Sequence, residues 1–314
     1  MPRPCPLSRA AALVLILIPV LAGVAGCATP VRPAPPPAPA PAPEPTPAPA
    51  ARAAAAPCAP GPELPAAWLA PGRTVLFGDW HGTEELPAFF GEAVCRVAAG
   101  GLPVLVGLEL PRDEQARVER FLATGDEREA SAALLEGRFW RREYQDGRSS
   151  QAMAALLGRL RQLRRAGLPI DLLLFDVPQE ATAPDRDLKM AGELAAWAHA
   201  RSETLLMVQA GNFHTRTTVG APWDPKAEPM GWYLRKAGLR VKALDCGGPQ
   251  GTAWSCPGAA ASSCGVQTVD LAGPAGGAPA LELFPEESKA GYAGRYLVPH
   301  LGASPPAVAG AGGR

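Results

Sequence analysis

Short, almost purely apolar runs alternate with amphipathic stretches through most of this sequence, and this alternation restricts the possible fold more than any other feature. Strand-like runs occupy residues 74–77, 103–110, 170–175, 204–209 and 240–244. Helix-like stretches occupy residues 87–99, 113–123, 149–166, 186–201 and 229–237. Strands that are apolar on both faces need helices on both faces, so the pattern predicts an α/β domain with a mostly parallel central sheet flanked by helices. After Cys246 the sequence becomes rich in Gly and Cys, which predicts an irregular C-terminal part with a few short strands.

Residues 1–26 have the features of a lipoprotein signal peptide. Basic residues precede an apolar stretch at 10–24, which is shorter than the roughly 20 residues of a membrane span. Small residues then stand directly before Cys27, an arrangement that resembles the bacterial lipobox, in which the cysteine is lipidated. Ala28 favours the outer membrane, and an ordinary secretory signal with a chance cysteine is the alternative. We therefore expect a cell-envelope protein, held on a lipid bilayer by acylated Cys27, with its domain in the periplasm or at the cell surface.

Residues 27–62 are expected to form a tether. Half of the segment 31–50 is proline, which lacks a backbone N–H and has a fixed φ. The segment is therefore expected to be an extended polyproline II spacer, which rises about 3.1 Å per residue and gives the tether a reach of roughly 100 Å. A proline-rich ligand for another domain is the alternative. The folded domain is then predicted at 63–307, before a disordered tail at 308–314.

Charge and cysteine content narrow the classes of protein. Lys and Arg balance Asp and Glu at 30 each, which argues against a nucleic-acid partner. Cys58, Cys246, Cys256 and Cys264 stand in loop-rich sequence and could form two disulfides in an oxidising compartment. The sequence leaves their pairing open, with Cys256–Cys264 as the favoured bridge. Cys95 stands in an apolar helical stretch and is expected to be a buried free thiol.

Two of the four histidines stand in the same local frame, Gly-x-x-His directly after a strand-like run. These are His81, in the frame that begins at Gly78, and His214, in the frame that begins at Gly211. The carboxyl ends of parallel strands line the ligand crevice of open α/β sheets, so both side chains should reach one site. A glycine just past the strand is expected to permit the backbone turn that aims each histidine.

Carboxylates follow the same geometry. Glu109 and Asp176 end the second and third strands, where a buried carboxylate is costly unless it is paired, metal-bound or hydrated. Glu85 stands four residues after His81 and can share a helical face with it. The predicted catalytic set is therefore His81, Glu85, Glu109 and His214. Two imidazoles and a carboxylate (His81, Glu109 and His214) suit a divalent metal ion or a His/Glu acid–base pair; a helix cap or salt bridge is the alternative for each carboxylate.

These motifs, with Glu109, the run at 186–191 and the segments 292–294 and 302–306, resemble the superfamily of ChaN-like haem-binding lipoproteins, Tiki and TraB proteins, and erythromycin esterases. The resemblance covers roughly 73–307 and is nearest to the ChaN-like branch. It implies an envelope protein that binds haem, iron or a related small-molecule ligand. The Tiki branch implies instead a metal-dependent peptidase, and the esterase branch a hydrolase. Two departures stand out: the family commonly has Glu at the position of Asp79, and its haem-ligating tyrosine maps onto no single tyrosine here.

Three further residues, Trp80, Asp176 and Arg186, are predicted to bind the ligand. Arg186 could clamp a carboxylate or propionate bidentately, and an ion pair with Asp176 or Glu109 is the equally good alternative. Trp80 stands beside His81. The sequence thus leaves three hypotheses: a haem- or iron-binding protein, a hydrolase of esters or peptides that uses a metal ion or a His/Glu pair, and a non-catalytic envelope spacer.

Overall fold

The computed structural model describes residues 58–178 and 185–309. The predicted signal peptide, Cys27, most of the tether and residues 310–314 lie outside the described residues. Within the described ranges no helix has both the length and the apolar character needed to cross a bilayer.

A seven-stranded sheet forms the centre of the domain. Its strands are β1 (Arg73–Asp79), β2 (Val104–Pro111), β3 (Ile170–Asp176), β4 (Leu205–Gly211), β5 (Arg240–Gly247), β8 (Ala280–Leu283) and β9 (Gly294–Leu297), in the order β3-β2-β4-β1-β5-β9-β8. Every neighbouring pair is parallel except β8 with β9. Strands β6 (Gln250–Ser255) and β7 (Gly265–Asp270) form a separate antiparallel pair. The predicted mostly parallel sheet and irregular C-terminal part are confirmed.

Helices cover both faces of the sheet. They are α1 (Glu85–Ala99), α2 (Gln115–Ala123), α3 (Glu127–Leu135), α4 (Arg138–Arg141), α5 (Gln151–Arg165), α6 (Arg186–Ala200), α7 (Asn212–Thr215) and α8 (Met230–Lys236). One core packs Val75 and Phe77 of β1 with α1, α2 and α5. A second core packs Leu76, on the opposite face of the same strand, with α6 and α8. This alternation is why the strands read as unbroken apolar runs in the sequence.

The disulfides correct the cysteine prediction in part. Cys256 pairs with Cys264, as favoured, but Cys58 pairs with Cys95. Cys246 is therefore the buried free thiol among the described cysteines. Cys95 is hidden because the segment that contains Cys58 lies along α1, where the Arg96 guanidinium donates to the carbonyl of Ala59 at 2.9 Å. An apolar helical context identified Cys95 as buried but could not show what buries it.

Candidate functional site

The order of the strands brings together the residues that follow them. His81 lies just after β1 and His214 lies in α7, which continues directly from β4; these two strands are neighbours in the sheet. Glu109 lies near the end of β2, on the other side of β4. Its carboxylate is 3.4 Å from Nε2 of His81 and 3.9 Å from Nε2 of His214. Both histidines and Glu109 therefore meet at the carboxyl edge of the sheet.

Asp79 orients the His81 ring. Nδ1 of His81 lies 2.7 Å from Oδ2 of Asp79, the last residue of β1. Burial by itself lowers the pKa of His81, but the charges of Glu109 and Asp79 and their hydrogen bonds outweigh it and raise that pKa to about 10. The contact fixes the Nδ1–H tautomer in the neutral ring, and it leaves Nε2 as the nitrogen available for proton transfer.

His214 has a different environment. Its Nδ1 lies 2.7 Å from Oδ1 of Asp187, which also accepts the backbone N–H of Met230 at 2.7 Å. Its Nε2 lies 2.9 Å from Nη1 of Arg186. A guanidinium can only donate, so Nε2 of His214 accepts and its proton is on Nδ1. Both ring nitrogens of His214 are thus occupied by protein groups.

Glu109 is held as a carboxylate. Its Oε1 accepts from Arg186 at 2.6 Å and lies 3.4 Å from Arg148, while its Oε2 accepts the backbone N–H of Gly211 at 2.7 Å. Burial favours the neutral acid, but the neighbouring imidazoles of His214 and His81, the hydrogen bond with His81 and the Arg186 guanidinium together keep the pKa of Glu109 well below its ordinary value. A fixed negative charge therefore faces Nε2 of His81.

Arg148 belongs to this site although the sequence analysis assigned no role to it. It donates to Asp176 at 2.6 Å and to Asp146 at 2.8 Å, and its charge helps to hold the pKa of Asp146 below its ordinary value against the effect of burial. Gly147 places it there: this residue has φ of +93°, and a Cβ on it would lie 2.6 Å from the backbone nitrogen of Gly82. The signal in the sequence that could have pointed to Arg148 is the Asp-Gly-Arg turn directly before α5.

Arg186 and Asp176 form the ion pair that was the alternative to a ligand clamp. Nε of Arg186 donates to Oδ1 of Asp176 at 2.8 Å, and Nη2 donates to Oδ2 at 2.9 Å. The same guanidinium also bonds to Glu109 and His214. Its donors are therefore directed at protein groups, and the ion pair helps to hold Glu109 and His214 in position.

Glu85 does not join the cluster. Its carboxylate accepts the backbone N–H of Gly302 at 3.0–3.1 Å, and it lies 3.1 Å from Nε2 of His300. The shared helical face that we predicted does not form, because Gly82 turns the chain at φ of +76° and α1 begins only at Glu85. Asp79 orients His81 instead.

The glycines of the two Gly-x-x-His motifs provide space. Gly211 has φ of −47°, which any residue can adopt, and Gly78 is not among the residues with positive φ. A Cβ on Gly211 would lie 3.0 Å from Nε2 of His81, and one on Gly78 would lie 3.1 Å from Cβ of Asn212. The prediction that they permit a turn was wrong, because close approach of side chains is what requires a glycine here.

A cavity of about 290 Å³ opens above the two histidines. His81, His214 and Asp79 line it, with Trp80, Phe213 and Cys256 among the other lining residues. Trp80, which we predicted to bind the ligand, is 38% exposed. Water and a small substrate can therefore reach the imidazole of His81.

The described side chains do not fit a divalent metal ion. Within 58–178 and 185–309, no three His, Cys, Asp or Glu residues are arranged to hold one. The reason is that Arg186 occupies Nε2 of His214 and also bonds to Glu109, so a cation already stands where the predicted ligands converge. Of the two histidines in this cluster, His81 is the one whose Nε2 receives no arginine donor.

Comparison with protein-family models and with curated proteins finds no match. Among solved structures, a mutant of the erythromycin esterase EreC in its open conformation is similar with a TM-score of 0.57 and 13% identity, over 76% of this chain and 93% of that one. A Bacillus cereus protein aligns with a TM-score of 0.48 and 11% identity, over 76% of this chain and 91% of that one. ChaN of Campylobacter jejuni, solved with cofacially bound haem, aligns with a TM-score of 0.39 and 12% identity, over 57% of this chain and 82% of that one. The chain has an erythromycin esterase-like fold, which confirms the resemblance at the level of the fold.

Proposed function

We propose that this protein is a hydrolase of small ester substrates that works without a metal ion, with His81 as the general base. The observation that carries this proposal is the trio Asp79–His81–Glu109, in which one imidazole nitrogen faces both an open cavity and a fixed carboxylate. The similarity of fold to an esterase supports it.

The reaction uses the lone pair on Nε2 of His81, which is present in the neutral form of the ring and therefore in a fraction of molecules that grows as pH rises toward the His81 pKa of about 10. A water molecule attacks the carbonyl carbon of the ester while its proton passes to Nε2. Asp79 and Glu109 then stabilise the imidazolium, because each places a carboxylate beside one of its N–H groups. The tetrahedral intermediate breaks its bond to the alcohol oxygen, which takes the proton back from Nε2, and the neutral imidazole is restored.

The distance between His81 and Glu109 suits this role. At 3.4 Å, Nε2 lies beyond the usual 2.7–3.2 Å range of an N–H···O hydrogen bond, so water need not break a strong contact to reach it. Oε2 of Glu109 is instead satisfied by the backbone N–H of Gly211. Glu109 thus acts on His81 chiefly through its charge, with a weak hydrogen bond beside it.

The test is hydrolysis of a series of simple esters by the full-length protein, with and without EDTA. Removing a general base typically costs about 10²–10⁴-fold in rate, so His81→Ala should lose activity by that factor, and EDTA should have no effect. His199→Ala is the matched control, because His199 is exposed near the end of α6. Loss of activity in EDTA, or full activity of His81→Ala, would overturn the proposal.

Haem binding is the second candidate. Trp80 and Phe213 offer aromatic surface at the cavity, and Nε2 of His81 is the nitrogen that would hold the haem iron. Haem would supply redox or storage chemistry at the same atom that the hydrolase needs as a base. Titration with hemin should then give a shifted Soret band that is lost in His81→Ala, and a spectrum equal to that of free hemin would exclude it.

We also propose that acylated Cys27 anchors the protein to a bilayer. The support is the signal-like sequence before it and the proline-rich segment after it. Cys27→Ser should move the protein from the membrane fraction to the soluble fraction of the cell without changing hydrolysis by the purified protein. Equal membrane association of the two forms would contradict the anchor.

A further inference from the structure

Aromatic side chains form part of the wall of the candidate site. Trp80 stands next to His81 in the chain, and Phe213 stands next to His214; both line the cavity. The Phe213 ring lies 5.3 Å from the His214 ring and 5.2 Å from the ring of Trp223. Trp223 extends the wall outward and is 72% exposed, the largest fraction among the exposed large hydrophobic side chains described here.

The loop that carries Trp223 is held in place by its own backbone. Gly220 donates to the carbonyl of Ala227 at 2.8 Å, and Ala221 exchanges backbone hydrogen bonds with Asp224. Exposing an indole on a fixed loop keeps apolar surface in water, which is unfavourable unless something covers it. Because Trp223 lies against Phe213, which lines the cavity, a substrate bound in the cavity is placed to cover the exposed indole ring.

Other tryptophans at the surface show what covered rings look like in this protein. The ring of Trp197 lies beneath the Arg201 guanidinium at 4.9 Å, and that of Trp232 lies beneath the Lys236 ammonium at 4.6 Å. In the part of the chain that the structure describes, no such cation covers Trp80 or Trp223. The aromatic faces beside the site are thus left open, while faces elsewhere are not.

Charge selects among flat ligands. The cavity is lined by the carboxyl groups of Asp79 and Asp146 and by no Lys or Arg side chain. The arginines that lie nearby, Arg148 and Arg186, direct their donors at protein carboxylates. A ligand with a negative charge on its ring would therefore meet the carboxylates of Asp79 and Asp146 and no Lys or Arg of the cavity lining, whereas an uncharged or cationic ring can stack on the indole faces.

We infer that Trp80, Phe213 and Trp223 form a substrate subsite for a planar aromatic ring without negative charge, attached to the ester that His81 hydrolyses. The part of this inference that concerns the ester rests on the proposed function. The part that concerns the ring does not, because the ring is the non-reacting portion of the substrate. It assigns to Trp223 the role of a specificity residue that contacts the substrate away from the reacting carbonyl.

The kinetic test compares two uncharged esters, 2-naphthyl acetate and ethyl acetate, with the full-length protein. Trp223→Ala should lower kcat/KM for 2-naphthyl acetate about tenfold and leave that for ethyl acetate within twofold, because only the first can stack. Trp223→Phe should restore most of the loss. Trp197→Ala is the control and should change neither value. Equal effects of Trp223→Ala on both esters, or none on either, would overturn the subsite.

A binding test separates this inference from the proposed function. The fluorescence of 2-naphthol should report saturable binding to the protein, about tenfold weaker to Trp223→Ala, and 2-naphthoate should bind at least tenfold more weakly than 2-naphthol. If no ester is hydrolysed but 2-naphthol binds in this way, the aromatic subsite stands and the hydrolase proposal fails. If esters are hydrolysed but 2-naphthol binds Trp223→Ala as it binds the parent, the subsite fails alone.

Discussion

Gly211→Ala tests the chemistry of the site with a single methyl group. A Cβ at this position would stand 3.0 Å from Nε2 of His81 and 3.5 Å from Oε2 of Glu109, in the space that the attacking water needs. A contact of 3.0 Å requires one neighbour to give way by a few tenths of an ångström. The methyl group therefore separates the base from its water, and we expect a loss of about 100-fold or more in kcat, approaching that of removing the base.

The same substitution should leave the fold intact. The backbone at Gly211 has φ of −47° and ψ of 138°, which alanine can adopt, and replacing glycine at an unstrained position typically stabilises by about 0.4–1 kcal/mol. Steric contact at Nε2 opposes this, so the free energy of unfolding should change by no more than about 1 kcal/mol. Loss of activity without loss of stability is the expected signature.

The assay is ester hydrolysis together with urea denaturation of the same samples. Gly192→Ala is the matched control, because Gly192 is exposed in α6 and a Cβ there would meet nothing within 4 Å. That variant should keep full activity and gain about 0.5–1 kcal/mol, the usual preference of a helix for alanine over glycine. If Gly211→Ala keeps activity within threefold, Nε2 of His81 is not the reacting atom and the mechanism is wrong.

Three further predictions concern charge and the disulfide. The pKa of His81 is about 10 in the folded protein and about 6.5 in the unfolded chain, so its contribution to stability is complete below pH 6.5 and is lost as pH rises to 10. The value of kcat/KM should rise over the same pH interval, because the neutral base becomes more abundant. A falling pH–rate profile would contradict the role of His81 as a base. Cys58→Ser opens a bridge across 37 residues and should cost about 4 kcal/mol in thermal or urea unfolding; a change below 1 kcal/mol would contradict it. Arg148→Met removes charged hydrogen bonds to Asp146 and Asp176, which keep Arg142 and Arg186 as partners, and should cost about 1.5–3 kcal/mol. The exposed Arg128→Met should cost almost nothing, and equal costs would show that the network adds no stability.

The fold was predictable because its strands are buried on both faces. Apolar runs such as those containing Val75 and Leu206 have no polar face that competes with the assignment, so five of the parallel strands and the helices between them follow from the sequence. Helices α3, α4 and α7 were not predicted, because α3 buries only Ala130 and Leu134 and the other two have four residues each. Strand β6 was missed as well, because Gln250–Ser255 lacks a regular apolar alternation.

The site was predictable only as far as strand ends determine it. The position of Glu109 and both histidines follows from parallel strands that finish at one edge. The partners that decide their chemistry come from elsewhere: Asp187 lies at the start of α6 and Arg148 in a turn before α5. Which polar groups pair across such distances depends on how helices dock on the sheet, and no local pattern in the sequence records that.

The two histidines show why this matters for function. His81 and His214 stand in the same sequence frame, so the sequence predicts equivalent roles for them. In the structure each also has an aspartate on its Nδ1. Arg186 removes the equivalence, because it donates to Nε2 of His214 and leaves Nε2 of His81 facing the cavity. Under the proposed mechanism, one arginine thus converts a symmetrical pair of histidines, suited to a metal ion, into one base and one structural partner. Since that arginine also neutralises Glu109 and Asp176, its position argues that the site activates water through an imidazole and does not depend on a bound cation.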